Sequence, residues 1–425
     1  MLILSVLALG VADSMVGPYL VLFGTQTAHL SPLQVGVFVS LVSASGLAVS
    51  TWLGRRYDRG PSRWPALVAV TVAAAGYAAL TTTTTYPVLL LVAAGLLSAG
   101  TAAFPQIFAL ARTHDDLAGE ATSRRRTPAL RSTWSLAWAA GPMIGAALLA
   151  SGGYRRLLLV TALAFLLVTV PLLLLGRTPR ARRDGHARPG GGRPTRAMLL
   201  AAGSFTCFHT AMLAGSVVLP LYVTGTLHQP DSRVGLLFTV CALVEIPVAL
   251  AMMVVPARVR KTVILAGMAL FAAYFVLVAV STTVPLLIGT QVARGVALAS
   301  AGTLGITFVQ DLAPQSPGRA TTLFSNTVTI GSLVSGLLAG AVTQTLGFRA
   351  ALLTCAALAM CGWVLLAPVR RAAPATFQGA HSFDEGQGKL RARTLERHAT
   401  CGNPQREAGE SEIFQPGALA PGPGR

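Results

Sequence analysis

The stretch VGLLFTVCALVEIPVALAMMVV, residues 234–255, runs for more than six helical turns with one charge, Glu245. A run of roughly 18 or more apolar residues reads as a membrane-spanning helix, because about 20 residues at 1.5 Å rise cross a hydrocarbon core of about 30 Å. Similar runs recur along all 425 residues. The chain is 53% hydrophobic and 11% charged, against about 25% charged in a soluble domain. It lacks the charge to cover a surface facing water, so it is a polytopic membrane protein.

Twelve spans can be placed, at about 2–23, 34–53, 65–83, 87–111, 130–150, 156–176, 198–224, 233–255, 262–281, 285–311, 320–344 and 348–367. The first has no basic residues ahead of it and contains Asp13, so it reads as a retained helix rather than a cleaved signal. The net charge of +18 does not point to nucleic acid, because the basic residues cluster in short connections between spans. If the N-terminus is inside, the inner connections hold Arg55, Arg56, Arg59 and Arg63, then Arg112 and Arg124 to Arg126. Seven more arginines follow between 177 and 196, then Arg258, Arg260, Lys261 and Arg319. The outer ones hold only Arg155, Arg156, Arg233 and Arg349. That asymmetry predicts both termini in the cytoplasm.

The Gly-, Pro- and Arg-rich segment around 177–197 divides the chain into six spans and six. The halves echo each other. HLSPLQVGVF (29–38) resembles HQPDSRVGLLF (228–238), and GYRRLLLVTALAF (153–165) resembles GFRAALLTCAALA (347–359). A repeat with the same topology predicts an all-α membrane protein of two six-helix pseudo-symmetric bundles, the major facilitator arrangement. The expected organisation is an N-terminal bundle over 1–176, a cytoplasmic linker over 177–197, a C-terminal bundle over 198–367 and a disordered cytoplasmic tail over 368–425. The five cysteines show no disulfide or metal-site spacing. No metal, no cofactor and no catalytic motif of an enzyme is expected.

Ionisable residues inside the spans disfavour insertion and are usually functional. Glu245 is read either as a proton-exchanging or substrate-binding carboxylate in a central cavity, or as a structural partner of an arginine. Asp13, flanked on one face by Gly10, Ser14 and Gly17, carries the same two readings. Arg131 opens the fifth span, with Ser135 and Trp138 following on one stripe; an aromatic ring beside polar groups suits a sugar. Trp134 fits an interfacial belt. Gln106 in the fourth span and Gln291 and Arg294 in the tenth add hydrogen-bonding groups. Thr322, Ser325, Asn326, Thr329 and Ser332 form a polar stripe that suits either a hydroxylated ligand or helix bridging. Arg112, Gln310 and Asp311 lie where contacts between the halves would gate the inner end. His209 reads as a packing residue.

FPQIFALAR (104–112), SLAWAAGP (135–142), LVEIP (243–247), FVQDL (308–312) and ATTLFSN (320–326) occur in that order. Together they resemble the sugar efflux transporter family of the major facilitator superfamily, over residues 1–367. The resemblance implies export of small sugars or glycosides by proton antiport across a bacterial plasma (inner) membrane, with Gln106, Trp138, Glu245, Gln310, Asp311 and Asn326 implicated. The implied partners are a small-molecule substrate, protons and the lipid bilayer, with the protein a monomer. GPMIG (141–145) also resembles the fifth-helix signature of drug antiporters, so a multidrug or specialised-metabolite antiporter is the alternative.

Overall fold

A computed structural model describes residues 1–118, 120–175, 195–314 and 316–369, with backbone alone for 112–132 and 317. These residues lie in one compact, almost wholly helical unit spanning Met1–Arg371. Residues 177–194 of the expected linker and 370–425 of the expected tail fall outside the described residues; Arg196 and Ala197 already belong to α7, which Thr195 caps, and Val369 is buried, its carbonyl accepting from Lys261 Nζ at 2.8 Å.

α1 is Leu2–Leu22, extended by a wide π turn Phe23–Thr27. α2 is Pro32–Arg59, α3 is Trp64–Ala79, and α4 runs from Tyr86–Val92 through a π turn Ala93–Leu97 into Ser98–Ala118. The continuous stretch Glu120–Leu167 breaks at Gly152 and Gly153. The part before the break is α5; the part after it, with Thr169–Leu174, is α6. α7 is Arg196–Leu221 with a π turn Tyr222–Thr226. α8 is Asp231–Met252, α9 is Ala257–Val280 and α10 is Val284–Asp311. Pro317–Leu366 breaks at Gly347 into α11 and α12. Nine helices among the described residues are long and apolar enough to span, two of them are these double-length stretches, and α3 is a shorter apolar helix. Counted in this way, the described helices are consistent with the twelve expected spans.

Local chemistry explains several boundaries. Ser31 and Gln34 form a reciprocal capping box that starts α2. α3 ends earlier than its apolar run suggests, because the Thr81 and Thr82 hydroxyls donate back to the Ala78 and Ala79 carbonyls. Leu91, Leu174 and Val254 stand exposed on the outer surface, as a lipid-facing exterior requires.

The sequence repeat reappears as a repeat of unusual backbone. His29 and His228 are the two non-glycine residues with positive φ among those described, at 52° and 49°. Each follows a π turn, Phe23–Thr27 or Tyr222–Thr226. Gly153 and Gly347 are the positive-φ glycines, at 65° and 84°, and each reverses the chain between two helices. There a side chain would be strained.

The halves meet in a repeated way, at the end where α1 finishes and α2 begins. α2 packs on α11 so closely that a Cβ on Gly36 would collide with the Gly336 carbonyl oxygen, and one on Gly340 would lie 2.5 Å from that of Pro32. In the matching contact, α8 packs on α5, and a Cβ on Gly235 would lie 2.6 Å from the Pro142 carbonyl oxygen. Small residues permit such approach between helices that gain nothing from hydrophobicity inside a bilayer. Four hydrogen bonds cross between the halves here. Leu337 N–H donates to Ser40 Oγ at 2.8 Å and Leu33 N–H to Gln344 Oε1 at 3.1 Å. Gln26 Nε2 donates to Asp231 Oδ1 at 2.9 Å, and the Tyr154 hydroxyl lies 3.2 Å from Asp231 Oδ2.

Candidate functional site

Polar groups collect at mid-helix depth in both halves. In the C-terminal half, Arg294 of α10 is 4% exposed. Its Nη2 donates to Ser216 Oγ of α7 at 3.0 Å, and its guanidinium carbon lies 4.6 Å from the centre of the Phe238 ring of α8. That ring face stabilises the buried cation. Gln291 is one turn away and wholly buried, with Nε2 donating to Leu287 O and Thr290 Oγ1, each at 3.3 Å. Tyr274 of α9 faces both Gln291 and Arg294. Glu245 of α8 is half-buried and attracted by Arg294, without a direct ion pair between them. Its helix is loosened nearby: Pro247 has no N–H for the Leu243 carbonyl.

In the N-terminal half, Phe108, Phe104, Trp134 and Trp138 form an aromatic ladder between α4 and α5, with successive ring centres 4.3, 4.4 and 6.4 Å apart. Gln106 is 3% exposed beside it in sequence. α1 packs tightly on α5, where Ser14 Oγ donates to the Gly10 carbonyl (2.6 Å) or the Ala137 carbonyl (3.0 Å), and the Tyr19 hydroxyl donates to Pro142 O at 2.8 Å. The glycines of GPMIG serve this packing. A Cβ on Gly141 would collide with Ser14 Oγ, and one on Gly145 with the Met15 carbonyl. Asp13 is half-buried, and Gly17, one turn on, faces open space.

Seven buried side-chain polar atoms among the described residues have no hydrogen-bond partner, and four of them belong to these two clusters: Gln106 Oε1, Trp138 Nε1, Gln291 Oε1 and Arg294 Nη1. An unpartnered buried polar atom costs about 1–3 kcal/mol. Two of the four are donors and two are acceptors, a set that hydroxyl groups, which do both, can satisfy.

The Major Facilitator Superfamily model matches residues 2–216 and 199–400. A Deinococcus radiodurans protein, whose name provisionally calls it a sugar efflux transporter, is 39% identical over 375 residues, covering 86% of this chain and 96% of its own. The chain belongs to the sugar efflux transporter family of the Major Facilitator Superfamily. Sugar efflux transporter A of Dickeya chrysanthemi is 30% identical, covering 83% of this chain and 92% of its own. The fold matches the crystal structure of nucleoside transporter NupG, with TM-score 0.70, 16% identity and coverage of 86% and 98%. It also matches a bacterial homologue of the human lysosomal transporter Spinster, with TM-score 0.69, 13% identity and coverage of 88% and 97%. As a member of this superfamily, the protein is a multi-pass membrane transporter and not an enzyme.

Other residues singled out in this family member have different surroundings. The side chains of Arg112 and Arg131 lie outside the described residues. Asp311 is ion-paired to Arg260, and Gln310 Nε2 donates to Thr321 Oγ1 at 2.9 Å. Both contacts join helices within the C-terminal half rather than linking the halves. Asn326 is exposed on α11. Its neighbours Thr322, Thr329 and Ser332 return their hydroxyls to carbonyls of their own helix and bridge nothing. His209 Nδ1 lies 3.0 Å from Thr327 Oγ1, among Phe205, Phe208 and Phe324, as a packing residue should.

Sequence reasoning missed Tyr274, Ser216 and Phe238, which read as ordinary core residues in apolar runs. The available signal was Arg294 itself, since a buried guanidinium needs an acceptor and a counter-charge. It also missed the contact of Gln26, Tyr154 and Asp231, each ordinary near a helix end.

Proposed function

We propose that this protein exports small sugars or glycosides across the bacterial inner membrane by proton antiport, as a monomer with both termini in the cytoplasm. The reading rests on one observation: buried, unpartnered hydrogen-bonding atoms on Gln106, Trp138, Gln291 and Arg294, divided between the two halves. A sugar bridging them would offer hydroxyls to each, and its C–H face would lie against the Trp138 ring. The names of the relatives support the same substrate class.

In this reading, residues 1–176 and 198–367 are two rocking bundles, 177–197 joins them, and 368–425 is a tail without a transport role. The cross-half contacts at Gly36, Gly336 and Asp231 then correspond to a state closed at the outer end. Glu245 carries the proton. When charged it draws toward Arg294; when neutral it frees the Arg294 guanidinium for sugar hydroxyls. Asp13, beside the open space at Gly17, is a second proton site.

Everted vesicles carrying the protein should accumulate labelled lactose or methylthiogalactoside when the lumen is made acidic. Glu245→Gln should abolish the dependence on the proton gradient while leaving sugar exchange at equilibrium. Gradient-driven uptake unchanged in that variant removes Glu245 from coupling. Uptake of lipophilic cations with no sugar uptake moves the protein to drug export.

A further inference from the structure

The end of α2 and the start of α3 enclose a cleft of about 500 Å³ that the transport reading does not use. Arg56 and Arg59 line it, one turn apart on α2, with Ser62 in the connection. Leu53 and Val68 form apolar walls, and Trp52 and Trp64 stand at its rim, 64% and 60% exposed. Asp58, the one carboxylate of this turn, is not among the lining residues. The connection is anchored: Arg63 Nη1 donates to the Leu173 and Leu175 carbonyls at 2.7 and 3.0 Å, tying it to the end of α6.

Two features separate this cleft from a solvated basic turn. The two arginines, although exposed, line the same concavity. Half of the lining is apolar and continues onto the faces of two membrane-spanning helices. Exposed tryptophans at a helix end mark the level of lipid headgroups. A ligand matching both features carries a phosphate and an acyl chain.

We infer that this cleft binds an anionic phospholipid, its phosphate held between Arg56 and Arg59 and one acyl chain lying along Leu53 and Val68 under the tryptophans. Guanidinium groups suit a phosphodiester because they donate two parallel hydrogen bonds to it. Each basic group near an anionic lipid contributes about fivefold in affinity. Occupancy would fasten the α2–α3 connection to the membrane surface. The site does not depend on what the protein transports.

The test uses the full chain, purified in detergent and analysed by native mass spectrometry with dioleoylphosphatidylglycerol, dioleoylphosphatidylcholine, glycerol 1-phosphate or inorganic phosphate added. The wild type should retain phosphatidylglycerol in preference to phosphatidylcholine. The Arg56→Gln/Arg59→Gln pair should lose that preference by roughly 25-fold, from two groups at about fivefold each. Arg56→Lys/Arg59→Lys should keep part of it, and Arg155→Gln/Arg156→Gln, a basic pair at the opposite end, all of it. Size-exclusion profiles report whether each variant is folded, and Arg59→Gln alone provides a milder change. Preference unchanged in the double Gln variant overturns the site. Equal retention of glycerol 1-phosphate and phosphatidylglycerol overturns the lipid assignment in favour of a soluble phosphate. Loss of preference in the Arg155/Arg156 variant to the same degree overturns the specificity, reducing the effect to net charge.

Discussion

Tyr154→Phe is the most informative perturbation of the contact between the halves. The Tyr154 hydroxyl has one proton and two acceptors in reach, Gln26 Oε1 at 2.9 Å and Asp231 Oδ2 at 3.2 Å. It therefore contributes one hydrogen bond shared between two acceptors. A bond to a charged group contributes about 1.5–3 kcal/mol when shielded. Gln26 is exposed, and Tyr154 and Asp231 are only partly covered, so water competes and about 1 kcal/mol is the reasonable share. In the proposed rocking of the two bundles, that converts to about a fivefold change in the ratio of closed to open forms at this end. The phenylalanine keeps the edge-on contact with Phe23, whose ring centre lies 6.0 Å away, so packing is preserved. Asp231→Ala would be less clean, because Asp231 also accepts from Gln26 and lies in the first turn of α8, where an acid favours the helix. Spin labels at Thr84 and Thr282, exposed in connections on the two halves at this end, would read the outcome by double electron–electron resonance in a background without native cysteines. Tyr154→Phe should enlarge the longer-distance population about fivefold relative to the shorter. An unchanged distribution, or a shift toward shorter distances, would refute a role for the Tyr154–Asp231 contact in holding the halves together.

Gly336→Ala should impair closure further, since its Cβ would lie 2.7 Å from both the Gly36 carbonyl oxygen and Ser40 Oγ; the same labels should report mostly the open form, with transport lost and membrane insertion intact. Arg294→Gln should weaken sugar binding by about 10- to 100-fold, the value of a charge-assisted hydrogen bond, as measured by equilibrium binding of labelled sugar. Arg294→Lys should fall between the two, keeping the charge but losing the planar fork over Phe238. Trp138→Phe retains a ring and removes the Nε1 donor, so affinity should fall about fivefold, while Trp134→Phe should change it less.

The fold was legible because its signals are local and additive. A run such as 234–255 declares a membrane span by hydropathy alone, and the arginine-rich connections separate one end from the other. The two histidine-led segments, 29–38 and 228–238, announced a repeat that the backbone then expressed as matching π turns and matching positive-φ histidines. Gln106, Trp138, Gln291 and Arg294 stood out for the same reason, as hydrogen-bonding groups inside segments otherwise fit for hydrocarbon. Asn326 and the α11 hydroxyls looked alike in sequence, but Asn326 is exposed while Thr322 and Thr329 return their hydroxyls to carbonyls of their own helix.

The sequence by itself determined that this chain is a polytopic, all-helical membrane protein with an internal repeat, and which polar groups stand inside its apolar runs, because the free energy of placing a side chain in hydrocarbon depends mainly on that side chain. Only the tertiary structure decided which of those groups meet. Arg294 finds Ser216 and Phe238 across long chain separations, Asp311 finds Arg260 instead of the other half, and Tyr154 finds Gln26 and Asp231. The last of these follows from how closely α8 approaches α5 at Gly235; the other two follow from how α10 packs on α7, α8 and α9. Such distances are set jointly by two surfaces and cannot be read from either one.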